Sequence, residues 1–124
     1  MTEPSKRILV CDDDPSILTF VEVNLELEGY EVYSASGGEE AVRIATSERP
    51  DLVILDVMMP RMDGYEACER LKQDDSTKDI PVIFLSARAQ QADIERGQAC
   101  GVSDYITKPF DPMELLEVVQ RLVR

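Results

Sequence analysis

The chain has 124 residues, enough for one domain with a real core and too few for two. Its 13 basic and 25 acidic residues leave a formal net charge of −12, a surface that repels phosphate backbones and argues against direct nucleic-acid binding by this domain. Three cysteines without framework spacing fit reduced thiols, no signal segment follows Met1, and no apolar run approaches the roughly 20 residues of a membrane span, so the expectation is a soluble, cytoplasmic protein without membrane contact.

In chain order, the first predicted strand covers residues 7–11 and ends Ile8-Leu9-Val10-Cys11 before Asp12-Asp13-Asp14. Cys11 is expected to be a small buried core residue despite its acidic neighbours. Asp14-Pro15 supplies an N-cap and a first-turn proline for a helix over 15–28, which Gly29 stops. Its apolar face reads Ile17, Leu18, Val21, Leu25 and Leu27. The second strand, 30–34, alternates polar and apolar residues, as an edge strand does, and a helix over 38–48 follows.

Residues 51–55 form a continuous apolar run that delivers Asp56 and, shortly after, Pro60. Such a run suits a strand buried on both faces, so Asp56 should emerge at the carboxyl edge of a sheet. A helix over 64–74 comes next, then a strand over 81–85 that ends in Ser86, and a helix over 88–99. The last strand, 104–107, delivers Lys108-Pro109. A final helix over 112–123 starts at Asp111-Pro112, with Glu114 spaced for a capping box.

Five short βα units with no linker or repeat predict a single α/β domain over 1–124. It is a doubly wound (βα)5 fold with right-handed crossovers and helices on both faces of a five-stranded parallel sheet. An edge position for the second strand gives the flavodoxin-like order 2-1-3-4-5, whose switch point lies between strands 1 and 3. Asp12, Asp13 and Asp56 then converge there.

Crowded carboxylates cannot all stay ionised without raised pKa values or a cation. Magnesium answers this need, because it takes hard oxygen ligands and leaves room for water and a phosphate oxygen. Lys108 adds a compact cation and Ser86 a hydroxyl donor, which completes a set suited to phosphoryl transfer. Asp14 is better read as the N-cap than as a ligand.

With these segments assembled, the chain resembles the receiver domain of a two-component response regulator, of the chemotaxis-regulator (CheY-like) fold. The matching stretches are Ile8 to Asp14, Leu55-Asp56-Val57-Met58-Met59-Pro60, Met62-Asp63-Gly64, Phe84-Leu85-Ser86-Ala87 and Asp104 to Phe110. The resemblance implies that Asp56 takes a phosphoryl group from the phosphohistidine of a histidine kinase or histidine phosphotransfer protein. It implies magnesium on Asp13 and Asp56 and on the Met58 backbone carbonyl, with Asp12 acting mainly through metal-bound water. Lys108 would contact the phosphoryl group through a loop with a cis Lys108-Pro109 bond. Ser86 and Tyr105 would be the switch pair, and the signal would appear on the surface of the fourth helix, fifth strand and fifth helix. Such a domain assists its own phosphorylation and dephosphorylation, and is not otherwise an enzyme.

The likeness also implies an output domain or a downstream protein as reader. In the winged-helix transcription-factor subfamily a second acid precedes Asp104 and an arginine early in the last helix pairs across a dimer. Here those positions hold Ser103 and Val118, so the expectation is a monomer or a weak phosphorylation-dependent dimer. The chain is either a complete regulator or a receiver from a longer protein. Pro15, Ser16 and Thr19 are the expected docking residues for the kinase, and Met58 and Arg88 are expected to border the approach of water to Asp56.

Two other classes fit part of the pattern. Asp12-Asp13-Asp14-Pro15-Ser16 matches the Asp-x-Asp-x-Ser signature of haloacid-dehalogenase-like phosphatases, which would make Asp12 the nucleophile and leave Asp56 without a role. A receiver-fold binding module that signals without phosphate would lack an acid, the hydroxyl or the lysine, and all of these are present. Histidine is absent from the chain, so a phosphohistidine donor must be another molecule.

Overall fold

The structure is a computed structural model that describes residues 5–123. Its elements alternate without exception: β1 (Arg7–Cys11), α1 (Pro15–Leu27), β2 (Glu31–Ala35), α2 (Gly38–Glu48), β3 (Leu52–Asp56), α3 (Gly64–Gln73), β4 (Val82–Ser86), α4 (Gln91–Ala99), β5 (Asp104–Thr107) and α5 (Pro112–Leu122). All strand pairings are parallel, and the order is β2-β1-β3-β4-β5, as the edge-like alternation of β2 predicts.

Strand periodicity divides the core into two layers. Leu9, Val53, Leu55, Val82 and Phe84 face Ala41 and Ala45 of α2 and Ala67 and Leu71 of α3. Ile8, Val10, Leu52, Ile54, Ile83 and Ile106 face Val21 and Leu25 of α1 and Leu115 and Val119 of α5. β3 and β4 are buried at every position, so their sequence is apolar throughout except for the terminal Asp56 and Ser86.

Helix boundaries follow local chemistry. The Asp14 carboxylate accepts the Ser16 N–H at 3.0 Å and Pro15 opens α1. Gly29, at φ 93°, supplies the left-handed turn that ends it. Three expectations need correcting. Leu27 is 81% exposed and does not join the core stripe of α1, because the helix ends there and turns its last residue outward. The Asp111 carboxylate caps the Met113 N–H at 2.9 Å without the reciprocal bond from Glu114. The capping box is in α4 instead, between Gln90 and Asp93, and it moves the start of that helix from residue 88 to Gln91. Residues 87–90 form a connection whose backbone bonds go elsewhere.

Candidate functional site

The carboxyl ends of β1 and β3, the neighbours between which the chain order reverses, form the crevice where such a sheet binds ligands. Asp56 is the last residue of β3, level with Leu85 of β4. Asp12 follows β1 directly and is tied to β2 by its N–H, which donates to the Ala35 carbonyl at 3.2 Å. Close packing behind Asp56 depends on Gly64, where a Cβ would lie 2.5 Å from the Asp56 carbonyl oxygen.

One carboxylate oxygen from each of Asp12, Asp13 and Asp56 lies within 4.8 Å of the other two. Asp12 is 1% and Asp56 5% exposed, while Asp13 faces solvent. The Lys108 ammonium donates to Asp12 Oδ2 at 2.7 Å and stands 3.6 Å from Asp56 Oδ1. Lys108 is held in place by its own N–H, which donates to the Ser86 carbonyl at 2.7 Å, and the following Lys108-Pro109 bond is cis. The Asp14 N–H donates to Asp12 Oδ1 at 2.9 Å and the Met58 N–H to Asp56 Oδ1 at 3.3 Å.

Charge in this pocket is out of balance, with three carboxylates for one ammonium. Burial, and next the Asp12 charge, push the Asp56 carboxyl up to about 7, against the pull of Lys108 and the Met58 N–H. The Cys11 thiol, hydrogen-bonded toward the Gly37 carbonyl, is pushed up to about 12 by burial and the same acids. It is an inert core residue, as expected. The donor set fits magnesium: hard carboxylate oxygens, excess negative charge, and one exposed member on an otherwise walled site.

On the next strand Ser86 is wholly buried, and its hydroxyl oxygen accepts the Arg88 N–H at 3.1 Å. Tyr105 lies beyond it on β5, half-buried, edge-on to Phe84 at 6.0 Å, with its hydroxyl donating to the Arg88 carbonyl at 2.5 Å. The structure therefore gathers Asp12, Asp13, Asp56 and Lys108 into one cluster. Ser86 stands at its flank, Tyr105 stands apart on the α4 side, and the Met58 side chain is 54% exposed at the mouth. Arg88 does not lie free at the rim, since its guanidinium pairs with Asp93 at 3.1 Å. Sequence reasoning missed Asp93, a carboxylate only 7% exposed. The Gln90-x-x-Asp93 spacing was its one visible signal.

Residues 8–120 match the family model described as the response regulator receiver domain. The chain is 46% identical over 95% of its length to the DNA-binding dual master transcriptional regulator RpaA of Synechocystis sp., covering 49% of that protein. It is 44% identical over 97% of its length to the alkaline phosphatase synthesis transcriptional regulatory protein PhoP of Bacillus subtilis, again covering 49%. It thus spans about half the length of these curated relatives. Among solved structures, the receiver domain of sensor histidine kinase PA1611 from Pseudomonas aeruginosa PAO1, with magnesium in its active-site cleft, superposes with a TM-score of 0.90 at 34% identity, covering 97% of this chain and 98% of that one.

Proposed function

Because this chain belongs to the response regulator receiver domain family, we propose that its phosphoryl acceptor is Asp56, acting on a histidine kinase or a histidine phosphotransfer protein. The observation that carries this is the convergence of Asp12, Asp13 and Asp56 with Lys108 at the switch point of the sheet. In the transfer, an Asp56 carboxylate oxygen forms a bond to phosphorus as the phosphorus–nitrogen bond to the donor imidazole breaks. Lys108, already between Asp12 and Asp56, stabilises charge on the phosphoryl oxygens, and Ser86 offers a hydroxyl from the neighbouring strand.

Asp12, Asp13 and Asp56, with the Met58 carbonyl, would hold magnesium. When bound, the ion supplies Lewis-acid neutralisation of phosphoryl and carboxylate charge. Asp12 is the weaker candidate for a nucleophile, since its two oxygens are taken by Lys108 at 2.7 Å and the Asp14 N–H at 2.9 Å, whereas Asp56 accepts the Met58 N–H at 3.3 Å on one oxygen. With the whole charged set in place, a phosphate-independent binding module is also the weaker reading.

The donor's docking face is proposed at the start of α1. Pro15, Ser16 and Thr19 are exposed beside the pocket, and Phe20 is 45% exposed and packs 6.0 Å from the ring of Phe110. Charge changes at Ser16 or Thr19 are expected to slow transfer from the cognate kinase. The reader, an output domain or a separate protein, would use α4, β5 and α5. On that face Val118 is 8% exposed and packed in the core, and Arg121 pairs with Asp104 of its own chain at 2.9 Å. Both features support a monomer or a weak phosphorylation-dependent dimer. A kinase-fed role of this kind places the domain in the cytoplasm, and among the described residues no helix is long and apolar enough to cross a membrane.

The test is labelling by acetyl phosphate, with and without magnesium. Label is expected only with the metal, and Asp56→Asn is expected to abolish it. Hydroxylamine-sensitive label on the Asn variant would show that another carboxylate is the acceptor.

A further inference from the structure

The connection from β4 to α4 carries a second polar cluster, which the transfer chemistry leaves unused. Its centre is Asp93, 7% exposed. Asp93 Oδ1 meets the Arg88 guanidinium at 3.1 Å, and Oδ2 accepts the Gln90 N–H at 3.2 Å. The Asp93 carbonyl accepts the Tyr65 hydroxyl at 3.2 Å. Arg88 is therefore fixed at three points: N–H on Ser86 Oγ, carbonyl under the Tyr105 hydroxyl, and guanidinium on Asp93.

The rest of that connection has little else to anchor it. Ala87 and Ala89 are exposed and bring no polar side chain. Among the described residues Arg88 is the one cation paired with Asp93, and a buried carboxylate whose cationic partner swings away loses charge compensation at considerable cost. Asp93 therefore restrains the side chain of Arg88, and through it the backbone carbonyl that receives Tyr105. One turn along α4, Gly97 makes room for the same ring, since a Cβ there would lie 3.0 Å from a Tyr105 ring carbon and 3.2 Å from one of Phe84.

We propose that the Asp93–Arg88 ion pair is a positioning latch that holds the Arg88 carbonyl under the Tyr105 hydroxyl and so joins the Ser86 end of β4 to the β5 surface. Asp93 touches no reacting group, so it is a positioning residue. Its signalling consequence rests on the reading that Asp56 is the acceptor and that Ser86 and Tyr105 form the switch. The latch itself exists in the unphosphorylated chain.

The experiment uses the chain with 3-fluorotyrosine at its four tyrosines, observed by fluorine NMR without magnesium or phosphate, with Tyr105→Phe to assign the signal. Asp93→Asn keeps an oxygen for the Gln90 cap and removes the charge that holds Arg88. The Tyr105 resonance is expected to move toward that of a solvated tyrosine, as the unbonded fraction rises about fivefold, equivalent to about 1 kcal/mol. Tyr30 and Tyr33 should not move. Arg88→Gln, on an exposed side chain, should give the same shift, and the double variant should add nothing further, since both changes break one interaction.

An unmoved Tyr105 signal in Arg88→Gln, or two shifts that add, overturns the latch. Acetyl phosphate labelling separates this result from the acceptor assignment. Asp93→Asn should still take label on Asp56. Absence of label on the parent chain would sink the acceptor reading, whereas the fluorine result would stand on its own.

Discussion

At the ends of β1 and β3, three carboxylates stand together with a single ammonium group among the described residues, which reaches two of them, whereas on the neighbouring strands, at the ends of β4 and β5, Ser86, Arg88, Asp93 and Tyr105 each have a partner within the chain. Both clusters occupy the same edge of the same sheet. The first is short of positive charge and gains from any cation or phosphoryl group that comes with one. The second is satisfied as it stands, so moving it means breaking bonds already made. A ligand-hungry site beside a self-satisfied network lets a local charge event be felt at a distance, because only the first has reason to change on its own.

Lys108 bears most of the difference between the two clusters. Lys108→Ala removes the only cation seen in the acid cluster among the described residues, and a buried carboxylate that loses its partner costs about 3 kcal/mol or more. We expect a comparable drop in unfolding free energy without magnesium, measured by urea titration. Labelling of Asp56 should slow by about a hundredfold, the usual effect of losing one charge-stabilising donor. Asp13→Ala should also fail to label at ordinary magnesium concentrations but recover at high ones, because on the proposed reading Asp13 would supply a ligand, while the ion pairs of Lys108 are with Asp12 and Asp56. Equal behaviour of the two variants in a magnesium titration would contradict the division of roles.

Asp56 makes the excess of acid visible as a pH dependence. Burial and the Asp12 charge push its carboxyl up to about 7 in the folded chain, against about 4 when unfolded. Between those values the folded state holds a proton that the unfolded chain has released. The stabilising contribution is therefore complete below about pH 4 and is lost as pH rises toward about 7. Without magnesium, Asp56→Asn should be the more stable protein at neutral pH, by about 1 to 2 kcal/mol, as is common where a site has been kept strained for function. That advantage should shrink as the pH is lowered. An advantage that stayed constant from about pH 7 down to about pH 4, followed by thermal unfolding, would show that the acid cluster is not repulsive in the way its geometry implies.

Much of this was legible in the sequence, and the reason is specific. Apolar strands ending in one polar residue, such as Leu52 to Asp56 and Val82 to Ser86, announce both their burial and the edge where their last side chain emerges. Parallel topology then brings Asp12, Asp56 and Lys108 to one crevice. The β4 to α4 connection was not legible to the same degree. Gln90 and Asp93 read as ordinary polar residues of a helix beginning at 88, and only tertiary bonds to Ser86 and Tyr105 pull Arg88 out of it. Leu27 failed for a similar reason, since helical spacing cannot show that a last turn overhangs the core. Position alone suggests that the Arg88 side chain borders the approach to Asp56, whereas its guanidinium is turned to Asp93 of α4.

The smallest expected effect concerns how long a phosphoryl group would last. Met58 and Arg88 line one groove of about 380 Å³ with Pro60, Tyr65 and Arg96, and the proposed reading puts both beside the approach of water to Asp56. Met58 is 54% exposed, flexible and apolar, able to cover the mouth without orienting a water. Arg88 spends its guanidinium on Asp93, which leaves it less to do at the rim. Shielding should thus be unequal: Met58→Gly is expected to speed loss of the phosphoryl group about threefold, a change of under about 1 kcal/mol in barrier, and Arg88→Gln to change it less. Decay of acetyl-phosphate-labelled protein in magnesium, with no partner present, gives both rates. A larger effect at Arg88 than at Met58 would mean that the guanidinium leaves Asp93 once Asp56 is phosphorylated, and that the satisfied cluster yields to the hungry one.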